Sequence, residues 1–327
     1  MKFPAFRLLF SLSLLLLTGA CTLHPYLATN KVYKKQVKRM AKTLRATPVT
    51  NPGEDSLHQG DYWVGTTNFS MRKPNYVVIH HTAQNSTEQT LKTFTTPKTQ
   101  VSAHYVIGRD GKVYHMLHDY LRAWHGGNAR WGTTTDLNST SIGIELDNNG
   151  FEPFPEEMVQ SLLQVLAILK KTHGIPAANF IGHSDIAPSR KVDPNPTFPW
   201  KRLAEAGFGI WYDEAAVNRL VLESQLPKES VAIAVSDSTA RTGNEPGMHN
   251  PIPVYYKDFS KETPAALTDT IPASFNPKDA LRIIGFDTRN MAAAVKAFKL
   301  HFIQSEVNAI LTERDLKILY DLYRKSL

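Results

Sequence analysis

Short apolar runs bounded by chain-turning residues, followed by one stretch of helical period, do most to restrict the fold open to this chain. Tyr76-Val77-Val78-Ile79 reads as a buried strand that ends at His80. Residues 103–107 read as another, closed by the hairpin signal Arg109-Asp110-Gly111, with residues 112–117 as the returning partner. Ser141–Leu146 is a further buried strand by the same criteria. The period then changes, with Met158, Leu162, Val165, Leu166 and Leu169 at helical spacing between Pro155 and Gly174. The expected product is an α/β domain over residues 60–215, a mixed central β-sheet flanked by helices.

Beyond it, residues 216–275 read as a linker or surface-draped segment, because Gln225 to Phe275 is rich in Pro, Ser and Thr with few periodic hydrophobics. Residues 276–327 return to helical patterning. Gly285 after Leu281 and Ile284 closes a short helix. Met291, Ala294, Val295, Phe298 and Phe302 share one face, and Thr312 with Asp315 offers a capping-box start for Leu316, Leu319 and Tyr323. The result is a small C-terminal three-helix domain, too small to be very stable alone and so expected to dock on the main one.

The amino terminus carries its own signals. Lys2 and Arg7 precede an apolar stretch over residues 8–17, then Thr18, Gly19 and Ala20 lead to Cys21, the pattern of an export signal over residues 1–21. The stretch is shorter than the roughly 20 residues a bilayer span needs. Cys21 is the sole cysteine, which excludes an internal disulfide. Leu-Thr-Gly-Ala-Cys resembles a bacterial lipobox, with Thr18 where leucine is usual, and this implies a lipidated Cys21; the alternative is an ordinary secretion signal with an incidental thiol. Residues 1–53 hold nine basic residues and no acid, so the net +7 leaves about −2 for the rest. The folded part is therefore not basic, which argues against a nucleic-acid partner. Residues 22–59 read as a basic tether, drawn to anionic head groups if Cys21 carries a lipid, or else a solvated spacer or one-faced helix.

Candidate chemistry lies at the segment ends. His80 ends a strand, His183 sits in Ile181-Gly182-His183-Ser184-Asp185, and Asp193 sits in Arg190-Lys191-Val192-Asp193-Pro194. Singly, each has an ordinary structural reading, a core histidine or a turn-forming aspartate. Together they are a zinc-type donor set, and a catalytic zinc site needs such donors at about 2 Å with one position left open.

Ile79-His80-His81-Thr82-Ala83, Ser102-Ala103-His104-Tyr105, Ala123-Trp124-His125-Gly126-Gly127, Ile142-Gly143-Ile144-Glu145, Gly182-His183-Ser184-Asp185-Ile186-Ala187-Pro188 and Arg190-Lys191-Val192-Asp193-Pro194 occur in the order found in type-2 N-acetylmuramoyl-L-alanine amidases. The resemblance covers about residues 70–212. It is nearest the lipoprotein members with a C-terminal peptidoglycan-binding-like helical domain. It implies His80, His183 and Asp193 as ligands of Zn2+, Glu145 as the catalytic glutamate and Lys191 as its basic partner. Asn195 departs from the glycine common after Asp-Pro. His81 points to the opposite side of its strand and is left out.

The implied reaction is hydrolysis of the amide between N-acetylmuramic acid and L-alanine in peptidoglycan or muropeptides; the alternative is a non-catalytic peptidoglycan binder or sensor on the same scaffold. An amide needs an activated nucleophile, a held oxyanion and a protonated leaving amine. A glutamate inside Ile-Gly-Ile-Glu-Leu is a costly buried charge unless it is paired, and that cost favours a functional role over a structural one. Trp124 and His125 suit a loop lining the cleft, a core Trp with a surface His being the plainer reading. Of Tyr105 and His104, one faces the site and the other the core, and Tyr105 is taken as the one that meets substrate. Thr22 is not the aspartate that retains lipoproteins at the inner membrane of enteric bacteria, so a monomer on the outer membrane, facing the periplasm, is expected.

Overall fold

The computed structural model describes residues 25–45, 66, 68, 70–222 and 270–327. Cys21 and the export signal lie outside the described residues, as does most of the expected linker. The chain divides into two compact units, Met1–Ser70 and Met71–Leu327. In the first, α1 (Leu27–Arg45) is a single helix with no buried residue.

In the second unit, five strands form one mixed sheet in the order β3-β2-β4-β1-β5. They are β1 (Tyr76–His81), β2 (Tyr105–Ile107), β3 (Val113–His115), β4 (Ser141–Leu146) and β5 (Phe180–Gly182). Helix α2 (Thr87–Thr95) lies between β1 and β2, and α3 (Leu137–Thr140) runs directly into β4. β4, β1 and β5 are parallel, β2 runs parallel to β4, and only the β2–β3 hairpin is antiparallel. The continuous apolar character of β1 and β4 follows, because a parallel strand in mid-sheet is covered on both faces. Val77, Ile79, Tyr105, Ile107, Ile142, Ile144 and Leu146 meet Met158, Leu162, Val165, Leu166 and Leu169 of α4 (Glu156–His173) on one face. Val78 and Ile181 meet Leu137, Ile186 and Ala187 on the other.

α4 obeys its sequence signals. Glu156 and Glu157 occupy the first turn, Lys170 and Lys171 the last, and Gly174 at φ 64° gives its N–H to the Lys170 carbonyl. After β5 come α5 (His183–Ile186), α6 (Trp200–Glu205), α7 (Glu214–Arg219) and the short parallel pair β6 (Val221–Leu222) and β7 (Thr270–Ile271).

The expected C-terminal helices are α8 (Pro277–Ile284), α9 (Met291–Phe302) and α10 (Glu313–Lys325). Asn276 caps α8, Asn290 caps α9, and the Thr312–Asp315 capping box starts α10. Their joint core includes Val217, Leu281, Phe298, Leu316 and Leu319, with Trp131, Trp211 and Tyr212 packed against it. The helices share one compact unit with the sheet. Gly132 N–H donates to the Gly285 carbonyl (2.7 Å), Trp131 packs edge-on to Phe286, and His301 stacks on Trp200 at 3.8 Å.

Candidate active site

In an open parallel sheet, side chains at the carboxyl ends of neighbouring strands meet at one edge. The β1–β4 register sets His80 opposite Glu145, and β5 ends where His183 opens α5. The turn after α5 returns Asp193 to the same place, its carbonyl accepting the Ser184 N–H at 2.8 Å. His80 Nδ1, His183 Nδ1 and Asp193 Oδ2 then form a triangle with sides of 2.9, 3.2 and 3.0 Å, and all three residues are buried. Glu145 lies beside it, Oε1 3.9 Å from His80 Nδ1.

Hydrogen bonds at the far ring nitrogens fix the tautomers. A carbonyl only accepts, so His183 Nε2–H donates to the Gly126 carbonyl (3.2 Å), leaving Nδ1 without a proton. The Ser141 hydroxyl donates to the Leu137 carbonyl, so its oxygen accepts from His125 Nε2–H at 3.2 Å. His125 Nδ1 must then accept, and His80 Nε2–H donates to it at 3.1 Å. His80 Nδ1 is thereby also a bare lone pair aimed into the triangle. Burial and the neighbouring histidines hold His125 well below the usual imidazole range, so it stays neutral and the chain of bonds keeps its sense. Burial pushes His80 down to about 4, in line with a neutral ring.

Two imidazole lone pairs and a carboxylate oxygen about 3 Å apart repel one another unless a cation lies between them. Donor atoms of a tetrahedral zinc ion with bonds near 2.0–2.1 Å lie about 3.3 Å apart, within a few tenths of these spacings. The donor set therefore fits the ion in type, tautomer and size.

Burial and the charge of Asp193 raise Glu145 to about 8, against the opposing pull of Lys191. Lys191 lines the adjoining cleft of about 400 Å³ together with Arg122, Trp124 and Arg190. Trp124 is 54% exposed there, as a cleft-lining loop residue should be. His125 also reaches the cleft, but it is buried and both its ring nitrogens are bonded within the protein, so neither is free for the substrate contact expected of it.

Tyr105 requires a correction. Its ring lies in the core on the α4 face, stacked on His115, and its hydroxyl donates to Asp119 at 2.9 Å. Alternate strand residues face opposite sides, and it is His104 that looks toward His125, the ring centres 6.0 Å apart. Asn195 is accommodated by a bond from its N–H to His81 Nδ1 and another from its side-chain amide to Asn148.

Supporting residues not expected from the sequence complete the site. Gly143 leaves room for the His125 ring, which a Cβ there would meet at 2.4 Å. Asn138 Oδ1 accepts the backbone N–H groups of His125 and Gly126. Arg190 donates to the carbonyls of Gly126 and Asn128. From α9, His301 reaches Asp185 at 2.8 Å, and the same carboxylate oxygen accepts the Gly182 N–H next to His183.

A buried two-histidine, one-aspartate triangle at the carboxyl edge of a mixed sheet, with a glutamate at its side, defines a candidate mononuclear hydrolytic metal centre. Residues 70–196 match the family model described as N-acetylmuramoyl-L-alanine amidase. Among curated proteins, the chain is 38% identical over 158 residues to N-acetylmuramoyl-L-alanine amidase AmiD of Escherichia coli (strain K12), covering 43% of this chain and 56% of that one. It is 39% identical over 104 residues to 1,6-anhydro-N-acetylmuramyl-L-alanine amidase AmpD of the same strain, covering 32% and 57%. The chain thus matches little more than half the length of these relatives. Among solved structures, the complex of E. coli AmiD with anhydro-N-acetylmuramic acid-L-Ala-D-gamma-Glu-L-Lys superposes with TM-score 0.56 at 26% identity, over 83% of this chain and 96% of that one. AmpDh3 from Pseudomonas aeruginosa superposes with TM-score 0.59 at 26% identity, over 82% and 98%.

Proposed function

We propose that the chain is a zinc-dependent N-acetylmuramoyl-L-alanine amidase that hydrolyses the amide between N-acetylmuramic acid and L-alanine in peptidoglycan or muropeptides. The observation that carries this reading is the convergence of three buried donor atoms, His80 Nδ1, His183 Nδ1 and Asp193 Oδ2, beside the buried Glu145. The relatives named above support the substrate class. His80, His183 and Asp193 would hold the ion. Zinc, when bound, lowers the pKa of a water toward about 7 and polarises a carbonyl.

The remaining steps belong to side chains of this protein. Burial and Asp193 raise Glu145 to about 8 when no cation is beside it; the charge of a bound zinc would hold it ionised. The Glu145 carboxylate takes a proton from the attacking water as hydroxide oxygen adds to the lactyl carbonyl carbon. Lys191 faces the developing oxyanion with a fixed positive charge. Glu145 then returns the proton to the L-alanine nitrogen as the C–N bond breaks, leaving a lactyl carboxylic acid and a free peptide amine. Trp124, exposed at the cleft, would contact the substrate.

The same proposal includes a catalytic domain over residues 60–215, closely joined to the helices of 276–327, and a monomer anchored by lipid at Cys21 on the periplasmic side of the outer membrane. Mass spectrometry of murein digested by the protein, with chelator and then with added zinc, tests the activity. Stem peptides beginning with L-alanine, abolished by chelation and restored by zinc, are expected. A zinc-loaded protein that binds murein without cleaving it would overturn the enzyme reading in favour of a binder.

A further inference from the structure

We propose that α1 is an interfacial helix that lies along an anionic lipid bilayer, its apolar stripe among the acyl chains and its cations at the head groups. The inference rests on α1 alone and stands apart from the amidase reading. At 100° per residue, Tyr33, Val37, Met40 and Leu44 fall within about 60° of the helix circumference. Lys31, Lys34, Lys35, Lys38, Arg39, Lys42 and Arg45 fan across about 140° centred on the opposite side. The helix contains no acid, and no residue in it is buried. Val37, Met40 and Leu44 are all exposed, Leu44 to 82%.

Charge and pattern together select the occupant. A nucleic acid or an acidic polymer would satisfy the cations and leave the apolar stripe in water. A second copy of the helix would cover the stripe but bring seven cations against seven with no opposite charge between them. An anionic bilayer satisfies both faces at once, the arrangement of helices that lie in the membrane interface. The helix is about 28 Å long at 1.5 Å per residue, which leaves the lysines spaced to meet several head groups. It does not cross: no helix among the described residues is long and apolar enough to span a membrane.

The test is sedimentation of the whole chain from Thr22 onward, without leader or lipid, against vesicles of phosphatidylglycerol and phosphatidylethanolamine and against phosphatidylcholine alone. Binding to the anionic vesicles only, weakened by salt, is expected. A Lys34→Gln, Lys38→Gln, Lys42→Gln variant should bind about a hundredfold more weakly, since each cation near such a surface is worth about fivefold. A Val37→Gln, Met40→Gln, Leu44→Gln variant keeps every charge and should still lose about tenfold or more. Both should keep the parental melting temperature, because the altered side chains are exposed. Undiminished binding by the second variant would overturn the proposal, as would equal binding to phosphatidylcholine, capture by purified murein but not by vesicles, or self-association without lipid.

Discussion

Gly143→Ala isolates the packing of His125 from every other feature of the site. Gly143 is not among the glycines with positive φ, so alanine suits its strand backbone and only space is at stake. The new Cβ would lie 2.4, 2.6 and 2.7 Å from Cγ, Cδ2 and Nδ1 of the His125 ring. Ordinary contact begins near 3.5 Å, so the ring must shift by about 1 Å. It has little freedom to do so, because Asn138 holds its backbone and Ser141 its Nε2. The bond from His80 Nε2–H to His125 is the one most exposed to loss. An orphaned buried donor costs about 1–3 kcal/mol, and removal of such a partner behind a metal-binding histidine lowers affinity by about 10- to 100-fold. Competition with a chromogenic chelator measures this directly, and Gly143→Ala is expected to bind zinc within that range below wild type. If the cause is steric, adding Gly143→Ala to His125→Ala should cost nothing further, since the ring it strikes is gone. Zinc affinity within twofold of wild type for Gly143→Ala, or fully additive losses in the double variant, would refute the argument.

The candidate donors and Glu145 were legible mainly through the ordered motifs of the resemblance. Locally, His80 and His183 end apolar strands and Glu145 is a carboxylate inside one, whereas Asp193 before Pro194 reads on its own only as a turn former. The residues behind them were hidden because they depend on register and on a loop fold. Ser141 meets His125 only because a distant loop lays that ring over β4; a glycine inside an apolar strand is the one local mark that could have pointed to the close approach at Gly143. Tyr105 and His104 could not be told apart because β2 is buried on both faces, which erases the alternation that fixes parity. The C-terminal helices were legible through Gly285, the Thr312–Asp315 capping box and their apolar spacing, which are local, whereas the Asn276 cap was not anticipated. Their seat against Trp131, Trp200 and Asp185 joins residues more than a hundred positions apart, and no local pattern encodes it. The basic tether was visible as charge, and only its continuous helix gives the opposing apolar stripe a geometry.

Glu145→Gln should retain zinc and lose turnover by about 10²- to 10⁴-fold, the usual worth of a general base, as read by metal analysis beside muropeptide cleavage. His183→Ala should lose both, and full zinc content in that variant would refute its assignment as a ligand. Gly285→Ala places a Cβ 2.4 Å from Trp131 at φ +134°, so denaturant unfolding should show a loss of about 2 kcal/mol or more. Stability should also fall with acid through His104. Burial lowers this residue from 6.5 to about 4, so the folded protein resists a proton that the unfolded chain accepts readily. Stability is therefore unaffected by His104 above about pH 6.5, declines as pH falls from 6.5 toward 4, and levels off below, a total of about 3 kcal/mol. His104→Asn keeps an acceptor for the Gly143 N–H, which His104 Nδ1 now receives at 3.0 Å, and does not titrate. Its unfolding free energy should fall less steeply than the wild type's between pH 6.5 and 4. Parallel curves for the two proteins across that interval would show that His104 takes up its proton without resistance in the fold, and the burial argument would fail.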